Sequence, residues 1–305
     1  MDCGAGMNDE IKGKILELKQ KRGALILAHN YQRPEVQDIA DFAGDSLDLA
    51  RKAAATDAGV IVFCGVHFMA ETAAILSPEK TVLLPDTESG CPMADMADAG
   101  AVEAMKRKHP GAKVVCYVNS TAEVKASSDS CCTSANAVAI VSAIKEDVIF
   151  VPDRYLGTFA ASRTGKTLHL WPGYCPTHLR ILPYDIEEGR RNHPGCVVMV
   201  HPECRPEVTA LADHVLSTGQ MARFAMQSEA ATFVIGTEVG LLHRLRKENP
   251  SKTFIPATDA ATCPNMKRIT LEKILASLET LGPVVTVPEE IRRRAYNALL
   301  PLLTM

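Results

Sequence analysis

The sequence predicts an α/β protein made of three similar αβα domains, each built on a parallel sheet. Short apolar runs typical of buried strands alternate with helical segments along the chain. This alternation indicates parallel sheets that are covered by helices on both faces. A set of residues also recurs at intervals of roughly 85 residues, about the length of one small α/β domain.

The recurring set has three markers in a fixed order. The pattern Glu-Val-x4-Asp-x4-Ser/Thr comes first, a Lys-Thr pair that opens a short apolar run comes second, and a Cys-Pro pair comes third. The three copies contain Glu35, Asp41, Ser46, Lys80 and Cys91, then Glu123, Asp129, Ser134, Lys166 and Cys175, then Glu207, Asp213, Thr218, Lys252 and Cys263. Three markers in one order favour a triplicated chain over one large α/β domain with scattered cysteines.

The cysteines close the thirds and therefore suggest the domain boundaries. We expect domains over residues 1–92, 93–178 and 179–267, with helices in residues 268–305 packing back on the first domain. The 47% hydrophobic content is enough for two or three compact cores.

The elements of the first third follow from apolar runs and local signals. A helix is predicted over about residues 10–20, and the run Ala24–Ala28 is of buried-strand type. Pro34 can open a helix in its first turn, and Ser46 can cap the helix that follows, through Ala55. A strand at 60–63, a helix at 68–76 and a strand ending at Pro85 complete this third.

The other two thirds repeat this plan. Helices are predicted at 94–108, at 134–143 with Ser134 as cap, and at 221–228 with Thr218 as cap. Strands are predicted at 113–118, 148–151, 196–200 and 232–235. Two final helices are predicted at 270–281 and 288–303.

Polar side chains follow the first strand of each third, where ligands of parallel sheets bind. They are His29 and Tyr31, Tyr117 and Asn119, and His201 and Glu203. One such strand end could be a turn that satisfies its own backbone, but its recurrence in all three thirds favours function. The hydroxyls of Ser46, Ser134 and Thr218 are by default helix caps. Helix N-termini also bind anions, so three converging termini would suit a substrate with carboxylates or phosphate.

Composition excludes several functional classes. The formal net charge is −3 without a basic stripe, so nucleic-acid binding is not expected. No apolar stretch approaches the ~20 residues of a spanning helix, and the N-terminus has no apolar signal region. Ten cysteines in a chain of this length are too few for a disulfide framework and fit a reducing compartment. We therefore expect a soluble cytoplasmic protein without membrane or nucleic-acid partners.

Three cysteines from three domains could hold a metal centre with one open position, the condition for a catalytic site. An iron–sulfur cluster with three protein thiolates would present one iron as a Lewis acid. Zinc is the competing interpretation, because thiolates suit both metals. The adjacent Cys131 and Cys132 lack the repeat position and are interpreted as small buried thiols.

Several stretches together resemble the quinolinate synthase (NadA) family over essentially the full chain. They are Ala28-His29-Asn30-Tyr31-Gln32, Gly44-Asp45-Ser46, Gly90-Cys91-Pro92-Met93-Ala94, Tyr117-Val118-Asn119-Ser120, Tyr174-Cys175-Pro176-Thr177-His178, His201-Pro202-Glu203-Cys204 and Cys263-Pro264-Asn265-Met266. The resemblance implies three Rossmann-like domains around a pseudo-threefold axis and a [4Fe-4S] cluster. It also implies the condensation of iminoaspartate with dihydroxyacetone phosphate to quinolinate in NAD biosynthesis, with possible coupling to an L-aspartate oxidase. Some members carry C-x-x-C-x-x-C at the third cysteine, where this chain has only Cys263.

The resemblance assigns roles by position. Cys91, Cys175 and Cys263 resemble the cluster ligands, and Tyr31, Tyr117, His201 and Glu203 resemble catalytic residues. The implied substrate-binding residues are His29, Ser46, Tyr117, Asn119, Ser134, His201, Glu203, Ser217 and Thr218. Two other classes stay open, a different three-cysteine iron–sulfur hydro-lyase and a non-catalytic metal or cluster sensor.

Overall fold

The computed structural model describes residues 3–304, with side chains described for residues 9–303. This part of the chain forms three four-stranded parallel sheets that share one strand order. In each sheet, the first and third strands in sequence are the two central strands. The predicted α/β fold with three parallel sheets is therefore confirmed.

The first lobe contains the first sheet and its helices. Its strands are β1 (Ala24–His29), β2 (Phe42–Gly44), β3 (Val60–Cys64) and β4 (Thr81–Leu83). Its helices are α1 (Cys3–Arg22), α2 (Pro34–Ile39), α3 (Ser46–Ala55) and α4 (His67–Leu76).

The second lobe repeats this arrangement. Its strands are β5 (Lys113–Tyr117), β6 (Ser130–Cys132), β7 (Val148–Val151) and β8 (Leu168–Leu170). Its helices are α5 (Ala99–Lys108), α6 (Ala122–Ala126), α7 (Ala137–Ala143) and α8 (Arg154–Thr164), preceded by a 3₁₀ turn (Ala94–Met96).

The third lobe and the C-terminal helices complete the chain. The strands are β9 (Val197–Val200), β10 (His214–Val215), β11 (Thr232–Gly236) and β12 (Thr253–Pro256). The helices are α9 (Pro183–Asn192), α10 (Pro206–Thr209), α11 (Thr218–Gln227), α12 (Leu241–Glu248), α13 (Leu271–Thr280) and α14 (Glu289–Thr304), with 3₁₀ turns at His178–Arg180 and Asn265–Lys267.

The recurring aspartate has the same structural role in each lobe. Its Oδ2 accepts a hydrogen bond from a backbone N–H of the first central strand. The three bonds are Ile26 N–H to Asp41 (2.8 Å), Val114 N–H to Asp129 (2.8 Å) and Val198 N–H to Asp213 (2.7 Å). The aspartate thus ties the edge strand that follows it to the centre of the sheet.

The recurring lysine binds the C-terminal end of a helix in each lobe. In each case the lysine Nζ donates to a backbone carbonyl oxygen. The three bonds are Lys80 to Ala53 (2.9 Å), Lys166 to Val141 (2.9 Å) and Lys252 to Ala225 (2.5 Å). The last carbonyls of a helix lack intrahelical donors, and a lysine there satisfies them and complements the helix dipole.

The prediction that Ser46 and Thr218 cap helices is wrong by one residue. Asp45 caps α3, because its Oδ1 accepts the N–H groups of Leu47 and Asp48, both at 3.0 Å. Both hydroxyl residues instead occupy the first position of their helices.

The cap of α11 is Ser217, whose hydroxyl accepts the N–H of Gln220 at 3.3 Å. The side chain of Gln220 accepts the Ser217 N–H in return (2.8 Å), which completes a capping box.

Two predictions in the second lobe also differ from the structure. Ser134 is not the cap of α7, because the N-cap position is Asn136. The helix predicted at 94–108 is interrupted, because the Asp98 carboxylate accepts the N–H of Ala101 (2.8 Å) and starts α5 at Ala99.

The C-terminal helices contact two lobes. Helix α13 packs on α1 and β3, whereas α14 packs on α3 and α4 of the first lobe and on α6 and β6 of the second. The C-terminal helices therefore join the first two lobes. Within residues 3–304, no helix is both long and apolar enough to cross a membrane.

Candidate active site at the junction of the three lobes

The carboxyl ends of the central strands surround one pocket with an empty volume of about 1030 Å³, including its mouth. All three lobes contribute the residues that the sequence analysis selected. The lining contains His29, Tyr31, Ser46, Cys91, Tyr117, Asn119, Ser134, Cys175, His201, Glu203, Thr218 and Cys263. Ser217 does not line the pocket. Its hydroxyl is buried and donates to the Asp45 carboxylate at 3.0 Å.

The three cysteines occupy equivalent loops. Each follows the last strand of its lobe and precedes a 3₁₀ turn. Each is a free, partly buried thiol. Burial raises the pKa of Cys91 to about 12, and the nearby Cys263 and Glu203 add to the rise, whereas the N–H groups of Ala94 and Met93 lower it. The pKa values of Cys175 and Cys263 are also raised, first by burial.

The residues present fit a metal cluster held by three thiolates. Soft thiolate ligands suit iron–sulfur clusters and zinc. Among the described residues that line the pocket, Cys91, Cys175 and Cys263 are the only cysteines. A four-iron cluster held there would keep one iron free of a protein thiolate.

Cys175, His178 and Glu203 form a second possible ligand group. One donor atom from each lies within 4.8 Å of the other two. Hydrogen bonding accounts for this proximity, because His178 Nδ1 lies 3.2 Å from the Cys175 sulfur and 2.7 Å from Glu203 Oε2. The three-cysteine group and this second group both use the Cys175 sulfur, so only one of them can hold a metal at a time.

Glu203 is a buried carboxylate of the pocket with two close partners. It accepts a hydrogen bond from the Tyr117 hydroxyl at 2.5 Å and contacts His178 at 2.7 Å. Burial acts to raise the pKa of Glu203, but the charge of His178 and the hydrogen bonds from His178 and Tyr117 outweigh it. The pKa therefore lies well below its usual range. The buried side chain is a carboxylate at neutral pH.

Tyr31 begins a chain of proton-carrying groups whose other two members, Thr237 and His178, the sequence analysis did not select as site residues. The Tyr31 hydroxyl lies 2.6 Å from the Thr237 hydroxyl, which lies 2.9 Å from His178 Nε2. Burial and the charge of Glu203 raise the pKa of Tyr31 well above its usual value, so the phenol is protonated. His178 stands in the Cys-Pro-Thr-His stretch, which was a usable signal, whereas Thr237 belongs to no noted motif.

The two strand-end histidines share one geometry. The Nδ1 atom of His29 accepts the N–H of Tyr31 (3.2 Å), and Nδ1 of His201 accepts the N–H of Glu203 (3.3 Å). Burial lowers the pKa of His29 to about 4 and of His201 to about 3, so both rings are neutral at pH 7. A neutral ring that accepts at Nδ1 carries its proton on Nε2. In His201, this Nε2 lies 3.2 Å from the Ser134 hydroxyl.

The remaining polar groups suit an anionic substrate. Ser46 and Thr218 begin helices at the pocket, where free backbone N–H groups favour negative charge. Asn30 Nδ2 donates to the Thr218 hydroxyl at 2.9 Å. The buried Oδ1 of Asn119 has no hydrogen-bond partner among the described residues, which leaves an acceptor for a ligand N–H or O–H.

The fold and the pocket together define a three-lobed α/β enzyme whose pocket combines three thiols, the hydrogen-bonded side chains of Tyr31, Thr237 and His178, and helix N-termini. The family model described as "NadA: Quinolinate synthetase A protein" matches residues 13–304. The chain therefore belongs to the quinolinate synthase family.

Individual relatives support this assignment. The chain is 62% identical over 290 residues to the "Quinolinate synthase" of Dehalococcoides mccartyi, which covers 95% of this chain and 96% of the relative. It is 57% identical over 287 residues to "Quinolinate synthase 1" of Methanosarcina acetivorans, with 94% of each chain covered. It is 55% identical over 292 residues to the "Quinolinate synthase" of Geobacter metallireducens, with 95% of this chain and 96% of the relative covered.

Proposed function

We propose that this chain condenses iminoaspartate with dihydroxyacetone phosphate to quinolinate, with loss of phosphate and two waters, for NAD biosynthesis. One observation carries the proposal: in a chain of the quinolinate synthase family, three thiols and the polar strand ends of three lobes line a single pocket. An L-aspartate oxidase would supply the imine.

Cys91, Cys175 and Cys263 would hold a [4Fe-4S] cluster. When bound, such a cluster supplies an open iron that acts as a Lewis acid and polarises the C–O bond of a departing hydroxyl. Three thiolates from three lobes also tie cluster binding to the packing of the lobes.

The helix N-termini would hold the anionic ends of the substrates. Ser46 and Thr218 are the first residues of α3 and α11, and Ser134 adds a hydroxyl from the loop before α7. Carboxylate and phosphate oxygens accept hydrogen bonds from such hydroxyls and from the free N–H groups beside them. The unpartnered Oδ1 of Asn119 would accept an N–H or O–H of the bound intermediate and orient it.

The buried side chains would carry out the proton transfers. Enolisation removes a C–H proton, and the hydroxyls must leave as water. Tyr31 is a protonated phenol that would donate its proton toward a developing oxyanion, and His178 would return a proton to Tyr31 through the Thr237 hydroxyl. Glu203, supported by His201, would act in acid/base catalysis. Its carboxylate contacts His178 Nδ1 at 2.7 Å and accepts the Tyr117 hydroxyl, and so it orients both side chains.

The test is anaerobic purification with iron and sulfide quantitation, followed by an assay for quinolinate. We expect about four irons and four sulfides per chain and quinolinate from both substrates. Cys91→Ala should lose iron and turnover. Cys196→Ala, which removes a buried thiol that does not line the pocket, should keep both.

Other outcomes would identify other functions. A Cys91→Ala variant that keeps iron, sulfide and activity would refute the ligand assignment. An iron-loaded protein that does not consume dihydroxyacetone phosphate would be a different hydro-lyase if it dehydrates another acid. The same protein without any turnover would be a sensor.

A further inference from the structure

Glu238 is a fully buried carboxylate that binds the backbone of a cysteine loop. It follows β11, and its side chain has no exposure to solvent. Its Oε1 accepts the N–H of Cys263 at 3.0 Å, and its Oε2 accepts the N–H of Gly240 at 2.7 Å. A buried carboxylate is costly unless it is paired and hydrogen-bonded, so these contacts fix its position.

Lys267 pairs with this carboxylate and connects it to the first lobe. The Lys267 ammonium lies 2.9 Å from Oε1 of Glu238 and also donates to the backbone carbonyl of Tyr31. The Lys267 carbonyl accepts a hydrogen bond from Arg33 Nε at 2.7 Å. One ion pair, with a buried carboxylate and a partly buried lysine, therefore connects the backbone of a predicted cluster ligand with the backbone of a predicted catalytic tyrosine.

Gly240 shows how closely these groups pack. A Cβ atom at this position would lie 2.7 Å from Lys267 Nζ, 2.8 Å from Glu238 Oε2 and 2.8 Å from the Tyr31 carbonyl oxygen. Real Cβ atoms essentially never approach heavy atoms so closely. The glycine thus allows the ion pair and the Tyr31 backbone to meet at one point.

We propose that Glu238 and Lys267 are positioning residues that fix the Cys263 thiol relative to the Tyr31 hydroxyl. The effect on Tyr31 rests on the proposed function, whereas the effect on Cys263 concerns metal retention alone. The equivalent position, two residues after the third strand of a lobe, holds the apolar Val66 in the first lobe and the buried Asp153 in the second. The residue four positions after the cysteine is a lysine only in the third lobe, so the ion pair is a feature of that lobe.

The experiment compares Glu238→Gln, Lys267→Met and the double variant in the cluster-loaded protein. One readout is the anaerobic rate at which a chelator removes iron, and the other is kcat and KM for quinolinate formation. A suitable control is Asp38→Asn with Lys247→Met, because this 2.6 Å pair also joins the first and third lobes but is partly exposed.

We expect each single variant to release iron about 10- to 100-fold faster, as is typical for groups that support metal ligands. In Glu238→Gln, one carboxylate oxygen becomes an NH₂ group. This group faces the N–H of Cys263 or of Gly240, so one of these two donors loses its acceptor. Lys267→Met leaves a buried carboxylate unpaired beside Cys263. The fold-increase in the iron-release rate of the double variant should be smaller than the product of the two single fold-increases, since the double variant removes both charges.

Lys267→Met should also lower kcat by about tenfold with KM within about twofold, because Tyr31 loses its backbone partner while the helix N-termini are intact. The kcat must be expressed per folded, iron-loaded chain, because a smaller active fraction would by itself lower the apparent kcat and leave KM unchanged. The control pair should leave all three quantities within about twofold of wild type.

Three results would overturn the inference. They are single variants with wild-type iron release, a control pair with the same losses, and a Lys267→Met variant that changes KM instead of kcat. If the wild-type protein makes no quinolinate, the proposed function fails, but iron release still tests whether the ion pair fixes Cys263.

Discussion

Residues that build each lobe are the same three times, whereas residues that face the pocket differ between lobes. The aspartates that bind the central strand and the lysines that bind a helix end are identical in kind and contact. The strand-end residues, each three positions after the aspartate-bound N–H, are His29, Tyr117 and His201. Each lobe forms the same sheet and helix arrangement and therefore needs the same stabilising contacts. The pocket is shared and its proposed substrates are asymmetric, so each lobe can contribute a different group.

The largest effect should come from a pocket residue. Glu203→Gln should lower kcat by about 10²- to 10⁴-fold, because it removes the buried negative charge that contacts His178 and accepts the Tyr117 hydroxyl. Quinolinate formation and thermal unfolding should be measured together. Glu207→Gln, at an exposed glutamate on α10, is the matched control and should have wild-type activity. Turnover of Glu203→Gln at the wild-type rate would remove Glu203 from the mechanism.

A smaller effect should separate two adjacent hydroxyl residues of α11. Thr218→Val removes a hydroxyl from the pocket and should raise KM by roughly tenfold, the effect of one hydrogen bond to a charged group. Ser217→Ala removes the cap behind the lining and should instead lower the free energy of unfolding by about 1 kcal/mol. Steady-state kinetics and denaturant unfolding distinguish the two. Ser217→Ala raising KM as much as Thr218→Val would assign Ser217 to the substrate.

The sequence predicted what is local and repeated. Strand and helix periodicity located the sheets, and the triplicated markers singled out Cys91, Cys175 and Cys263, which all line one pocket. Adjacent capping candidates have similar propensities, so sequence could not choose Asp45 over Ser46. Tyr31 and Thr237 are 206 residues apart, and their contact depends on how two lobes pack. Glu238 was missed for the same reason, since two of its partners, Cys263 and Lys267, are 25 and 29 residues away.

A residue that builds the lobe should affect stability and leave catalysis unchanged. Asp129→Ala leaves the Val114 N–H without its side-chain acceptor, and we expect the free energy of unfolding to fall by about 1–3 kcal/mol. Asp41→Ala should give a similar loss, because its bond to Ile26 has the same length of 2.8 Å. Denaturant unfolding measures both. A kcat per folded molecule that fell with stability would contradict the separation of the two sets of residues.

The smallest effect should come from the recurring lysine. Lys166→Met should lower the free energy of unfolding by about 0.3–1 kcal/mol, the contribution of a cation at a helix C-terminus. Lys80→Met should lower the free energy of unfolding by the same amount, because the Nζ atoms of Lys80 and Lys166 both bind helix-end carbonyls at 2.9 Å. Lys252→Met should cost slightly more, since its ammonium also lies 5.8 Å from the centre of the Phe233 ring. Denaturant unfolding at low and high salt measures these losses, and screening should shrink all three. Losses that do not change with salt would mean that the lysines stabilise the helices by packing and not by charge.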